Sequence, residues 1–203
     1  MIKTFSMPVK DITIPESAIA IRCGFKNERR VTEEFKPLLE RALLAMNAAT
    51  IPLAIYDTYP CKWDNDLLRI GDQEIRGYMV NRHLRGCEAL TLMLATLGSG
   101  TDETIAKEHE KGDDLSSFFF DALASELAEF FARRVDLSIR EESPDFELTA
   151  RVSPGYGDLP MSLNKWVVDT LQGGDHGITC NPESFILLPR KTISAFIGWR
   201  RHI

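Results

Sequence analysis

Apolar side chains recur along this chain at two spacings, and those spacings predict its elements. In EEFKPLLERALLAM, Phe35, Leu38, Leu39, Ala42, Leu43 and Met46 fall three and four residues apart, the repeat of a helix with one apolar face. From Asp113 onward Leu115, Phe118, Phe119, Ala122, Leu123, Leu127, Phe130 and Phe131 carry the same spacing through the longest helix, whose stripe is expected in the core. Ser162 to Leu171 reads as a short helix stopped by Gly173 and Gly174. Shorter runs read as strands: SAIAIRCGF, IPLAIYD, a stretch near 147 to 152, and the apolar pair ESFILLP and TISAFIGW, taken as partners of one another. LLRIGDQEIR has the form of a hairpin, with Gly71 and Asp72 at its turn. EALTLMLATLG is apolar throughout and closed by Gly98, which predicts a buried strand, although a buried helix fits the same run. Helices and strands in mixed order predict an α+β fold with helices packed on a sheet.

Composition narrows the class. The 203 residues contain no repeat and no low-complexity linker, so one domain over 1–203 is expected. No apolar run approaches the roughly 20 residues that span a bilayer, and MIKTFSMPVKDITIP lacks the form of a secretory signal, which predicts a cytoplasmic protein with no membrane partner. Cys23, Cys61, Cys87 and Cys180 lie far apart with no metal-ligand spacing, so no metal site is expected and the thiols read as reduced and structural. A net charge of -6, with only the short basic clusters NERR and GWRRH, excludes nucleic acid as a partner. No Gly-x-Ser-x-Gly elbow is present to support hydrolase chemistry.

The segment LTARVSPGYGDLP, residues 148 to 160, carries the candidate chemistry. Arg151 offers a planar fork of donors suited to a carboxylate, Pro154 and Gly155 bring bare backbone close, and Tyr156 adds a flat face with a polar tip. That set suits a zwitterionic ligand with an aromatic base. It equally describes a surface turn in which Arg151 pairs with a glutamate and Tyr156 plugs a core edge.

Four blocks in order decide the reading: LATLGSGTDE, DALASELAEFFA, RVSPGYGDLP and GITCNPESFILLPRKTISAFIGW. Together they span roughly residues 87 to 199 and resemble the activation domain of cobalamin-dependent methionine synthase, in a stand-alone short form. The family writes Arg-Pro-x-Pro-Gly-Tyr-Pro in the third block and Glu-Ser-x-Ala-Met-x-Pro-x-x-Ser-Val-Ser-Gly in the fourth. Arg151, Pro154, Gly155, Tyr156, Glu183, Ser184, Pro189, Thr192 and Ser194 stand at matching positions. The resemblance implies a mostly antiparallel twisted sheet with packed helices. It also implies a site for S-adenosylmethionine, whose methyl group goes to reduced cobalamin by positioning and not by acid or base catalysis. Arg151, Pro154, Gly155, Tyr156, Glu183, Ser184 and Ser194 would form that site. Glu129 would face the ligand's positive charge, or remain a solvated helix-face glutamate.

Departures from the family pattern shape the expected partners. Larger members carry an N-terminal ligand aspartate and a C-terminal tyrosine pair that this sequence does not show; Asp145, Glu147 and Asp158 are candidate substitutes for the first. Ala195 replaces the last glycine of the serine block, and Arg190 and Lys191 stand where the family has small residues, either to face an acidic partner or to close a strand turn. The corrinoid motif Asp-x-His-x-x-Gly is absent, since Asp175 and His176 are adjacent, and His176 reads as a loop histidine. Cobalamin is therefore expected from a partner, a corrinoid-binding methionine synthase chain lacking its own activation domain. A low-potential donor such as flavodoxin would serve the pair. The alternative is a non-catalytic ligand-sensing or interaction module that retains the fold.

Overall fold

The computed structural model describes residues 1–25 and 30–201, so Asn27, Glu28 and Arg29 of the NERR cluster and His202 lie outside the described residues. In chain order the elements are β1 (Lys3–Ser6), α1 (Glu16–Arg22), α2 (Lys36–Ala49), β2 (Leu53–Pro60), β3 (Lys62–Asp64), β4 (Leu67–Ile70), β5 (Gln73–Ile75), α3 (Tyr78–Leu84) and β6 (Ala89–Thr96). They continue with α4 (Ser99–Glu110), α5 (Asp114–Glu141), β7 (Phe146–Leu148), α6 (Leu163–Thr170), β8 (Thr179–Cys180), β9 (Leu187–Leu188) and β10 (Thr192–Arg201).

The main sheet has the order β1-β2-β6-β10-β7 with every pairing antiparallel. Side chains alternate between its faces, and both faces are covered. On one, Tyr56, Met93, Ala95 and Ile197 pack under Leu123, Leu127, Phe131 and Val135 of α5. On the other, Ile55, Leu92, Leu94 and Phe196 meet Val80 and Leu84 of α3, Val167 of α6 and Leu171 at the end of that helix. The central strands are buried on both sides, which is why β6 reads as an unbroken apolar run. The chain is thus α+β, as expected.

Several elements follow the hydrophobic pattern closely. The hairpin turns with Ile70 opposite Gln73, and Gly71 sits at φ +56, where a side chain would be strained. Helix α5 starts after Asp113, whose carboxylate accepts from the Ser116 N–H at 2.9 Å.

Other elements differ from the pattern for identifiable reasons. SAIAIRCGF is a helix, not a strand: Ile19 and Ala20 are buried in the α5 cluster, a demand that a short apolar run leaves open. Leu115 and Phe118 are 51% and 49% exposed, because the first turns of α5 face α2 and α4 through Phe119, Phe120 and Ala124 instead. ESFILLP and TISAFIGW are not partners. Leu188 pairs with Thr179, while β10, buried from Ser194 to Ile197, takes β6 and β7 on its two sides. The strand near 147 to 152 is β7 followed by a single bridge at Val152. All four cysteines are free, and burial pushes the Cys61 thiol up to about 12.

Candidate functional site

Two registers place Arg151. Thr149 N–H donates to Gly198 O at 2.9 Å, and Val152 and Phe196 exchange backbone hydrogen bonds at 3.0 and 2.8 Å, so the segment after β7 stays tied to β10. Val152 is buried beside Phe196 on the α3 and α6 side. Alternation then turns Arg151 to the α5 side. There its Nη2 meets Glu129 Oε2 at 3.4 Å, with the arginine side chain 21% exposed and the glutamate about half exposed. One long contact leaves most of the five guanidinium donors uncommitted.

The loop that follows is held by its own backbone. Gly155 N–H donates to Leu159 O at 2.8 Å, and Tyr156 N–H to Ser153 O at 3.1 Å. Gly155 and Gly157 have φ +84 and +61, and a Cβ on them would lie 2.8 and 2.6 Å from the side chains of Met161 and Met79. Glycine is required at both for conformation and for space. Tyr156 is 66% exposed, so it plugs no core edge.

Asp158 fastens the loop to α3: its carboxylate accepts from Met79 N–H at 2.9 Å and also from Tyr78 N–H. These two bonds, Met79 first, hold its carboxyl below the ordinary 3.8. A depressed carboxyl stabilises the fold fully above its unfolded value and ceases to do so as pH falls through the folded one. Asp158→Ala is therefore expected to lower the melting temperature at neutral pH, and the gap from wild type to close as pH falls through the carboxylate range; thermal melts across that range check it. So engaged, Asp158 turns its carboxylate to the start of α3. Asp145 and Glu147 lie at the outer strand: Glu147 is opposite Arg200, six residues from Ser194 along β10 and so roughly 20 Å from it.

The other wall comes from β10 and the turn before it. Asn181 Oδ1 accepts from Glu183 and Ser184 N–H at 2.9 and 2.8 Å, which fixes the 181–186 turn. Ser194 Oγ donates to Asn164 Oδ1 at 2.5 Å, and Asn164 Nδ2 to Phe185 O at 3.0 Å. Lys191 closes the turn, donating to Asp121 at 2.8 Å and Ser125 at 2.9 Å. Arg190 donates its backbone N–H to Asp102 at 2.6 Å, while its guanidinium forms no ion pair among the described residues.

Between these walls lies a cleft of about 310 Å³ lined by Glu129, Ser153, Pro154, Met161, Asn164, Ile186, Arg190, Thr192 and Ser194. Its size is at the lower end of small-molecule sites. A larger groove of about 760 Å³ beside α2 has an apolar floor of Ile12, Ile14, Leu39, Leu43 and Leu44, so volume alone does not mark the site. Of the residues named from sequence, Glu129, Pro154 and Ser194 line the cleft, Arg151 is held at Glu129, and Gly155 backs onto Met161. Tyr156 stands exposed in the adjoining loop, and Glu183 and Ser184 belong to the exposed turn outside. Asn164 was missed. Its signal is a polar residue sharing a helical face with Val167, Val168 and Leu171. Among the described residues no three His, Cys, Asp or Glu side chains converge to hold a metal ion, and no helix is long and apolar enough to cross a membrane.

No family model and no curated protein matches the sequence. Among solved structures, the chain is similar over 100% of its length to the crystal structure of the MetH reactivation domain bound to AdoHcy, covering 79% of that chain at a TM-score of 0.72 and 16% sequence identity. At that identity the likeness is one of fold, and the chain has an activation-domain-like α+β fold.

Proposed function

We propose that this protein binds S-adenosylmethionine in the cleft beside Arg151 and presents its methyl group to the reduced cobalamin of a partner methionine synthase or other corrinoid protein. The observation that carries the reading is the Arg151–Glu129 pair at the wall of the cleft, in a fold like that of a domain solved with AdoHcy. The methionyl end carries a carboxylate and an ammonium. The guanidinium fork suits the first, and Glu129 the second or the sulfonium. Pro154 and Gly155 let backbone approach the ligand.

The protein's task is to hold the sulfonium so that its methyl carbon faces the acceptor in line; the carbon–sulfur bond breaks and its electron pair stays on sulfur as a thioether. Cobalamin, brought by the partner and reduced by a low-potential donor such as flavodoxin, supplies the nucleophile. Tyr156, Met161, Ile186 and Leu188 are apolar, exposed and close to the cleft, a surface suited to docking. The test is direct. The protein is mixed with a cob(II)alamin-loaded synthase lacking an activation domain, a reductant and methyl-labelled S-adenosylmethionine. Label in the corrinoid above a no-protein control is expected; its absence overturns the reading.

Arg190 favours a second reading, a ligand-sensing module. Arg190 lines the cleft and its guanidinium forms no ion pair among the described residues, a cation at the site that suits a neutral zwitterion better than a sulfonium cation. That module would bind S-adenosylhomocysteine more tightly than S-adenosylmethionine and transfer no label.

A further inference from the structure

Two polar side chains, each only 5% exposed, line the cleft: Asn164 of α6 and Ser194 of β10. Buried polar groups persist where their hydrogen-bonding capacity is used. The Phe185 carbonyl can only accept, so the atom facing it at 3.0 Å is the amide nitrogen, and the orientation of Asn164 is fixed. Ser194 Oγ then donates to the amide oxygen at 2.5 Å. A primary amide has two hydrogens and two lone pairs. One of each is used here, which leaves one N–H and one lone pair on an amide that cannot turn over.

That remainder has a complement. The Watson–Crick edge of adenine sets the N6 amino donor beside the N1 acceptor, and an asparagine amide meets both atoms at once, as it meets N6 and N7 in a DNA groove. A 6-oxo purine reverses the pattern at that edge, so it would meet the pinned amide donor to donor and acceptor to acceptor. To avoid this the whole ligand would have to move, which Arg151 at the amino-acid end opposes. We infer that Asn164, oriented by Ser194 and Phe185, reads the base edge of the nucleoside and makes the cleft selective for 6-amino over 6-oxo purines. The inference rests on the reading above and assigns a specificity-determining residue within the same site.

The test is calorimetric titration of the full chain with S-adenosylhomocysteine and with S-inosylhomocysteine. A discrimination of about ten- to a hundredfold in favour of the adenosyl ligand is expected, the usual range for a two-point base contact. In Asn164→Ala, with melting temperature monitored, the ratio should fall toward one; in Ser194→Ala, which unpins the amide, it should narrow. Equal binding of both ligands by the wild type overturns the inference and leaves the proposed function standing. Failure of both to bind overturns the proposed function and the inference with it. A merely structural Asn164 would weaken both ligands alike and keep their ratio, which also overturns the assignment, and equal binding by the wild type overturns it even if neither variant folds.

Discussion

Arg151→Ala is expected to weaken S-adenosylmethionine binding by about ten- to a hundredfold in calorimetric titration while the melting temperature stays close to that of wild type. The affinity change follows from hydrogen bonds to a charged group, worth roughly 1.5 to 3 kcal/mol each, that alanine cannot make. The small stability change follows from geometry: the Glu129 contact is a single one at 3.4 Å with the glutamate about half exposed, and such pairs contribute about 0 to 1 kcal/mol. Arg151→Lys should recover part of the loss, because lysine keeps the charge but not the planar fork. Wild-type affinity in the alanine variant, or an unfolded variant, would make Arg151 a structural residue and remove it from the site.

The largest loss of stability is expected from Phe131→Ala. Phe131 is fully buried at the middle of the sheet-facing stripe of α5, with the Phe5 ring 6.1 Å away. Removing such a ring costs about 3 to 5 kcal/mol in transfer and cavity terms, a large share of the 5 to 15 kcal/mol by which folded proteins exceed unfolding. Urea titration should show the lower midpoint, and the melting temperature should fall by roughly 6 to 20 °C for a chain of this size. A midpoint like that of wild type would mean that α5 is not seated on the sheet.

The parts of this fold that could be read from sequence are those whose pattern is long or whose environment is uniform. Helix α5 repeats its apolar spacing over many turns, so misplacing Leu115 and Phe118 at one end did not hide it. β6 is legible because burial on both faces erases alternation. The partners of β10 were not legible: TISAFIGW records that the strand is buried but not which strands bury it, and the nearest apolar run in sequence, Leu187–Leu188, pairs elsewhere. The site divides the same way. Arg151 and the glycines after it announce a turn with unusual chemistry, whereas Asn164 becomes meaningful only when β10 and the 181–186 turn arrive from long range to use its amide. Glu183 and Ser184 matched a motif, yet the turn built on Asn181 holds them outside the cleft.

The clasp between Asp158 and the start of α3 bears on kinetics. A glycine-rich loop free to wander would have to be ordered each time a ligand arrived, with a corresponding entropic penalty on every encounter. Here the carboxylate is fastened to two backbone amides of another element, and Met79 and Met161 fill the space over Gly157 and Gly155. The loop is ordered when the chain folds, so a ligand meeting it surrenders little more than its own freedom. Loosening the clasp would therefore show first as a slower, more strongly temperature-dependent association, before any contact to the ligand had been removed.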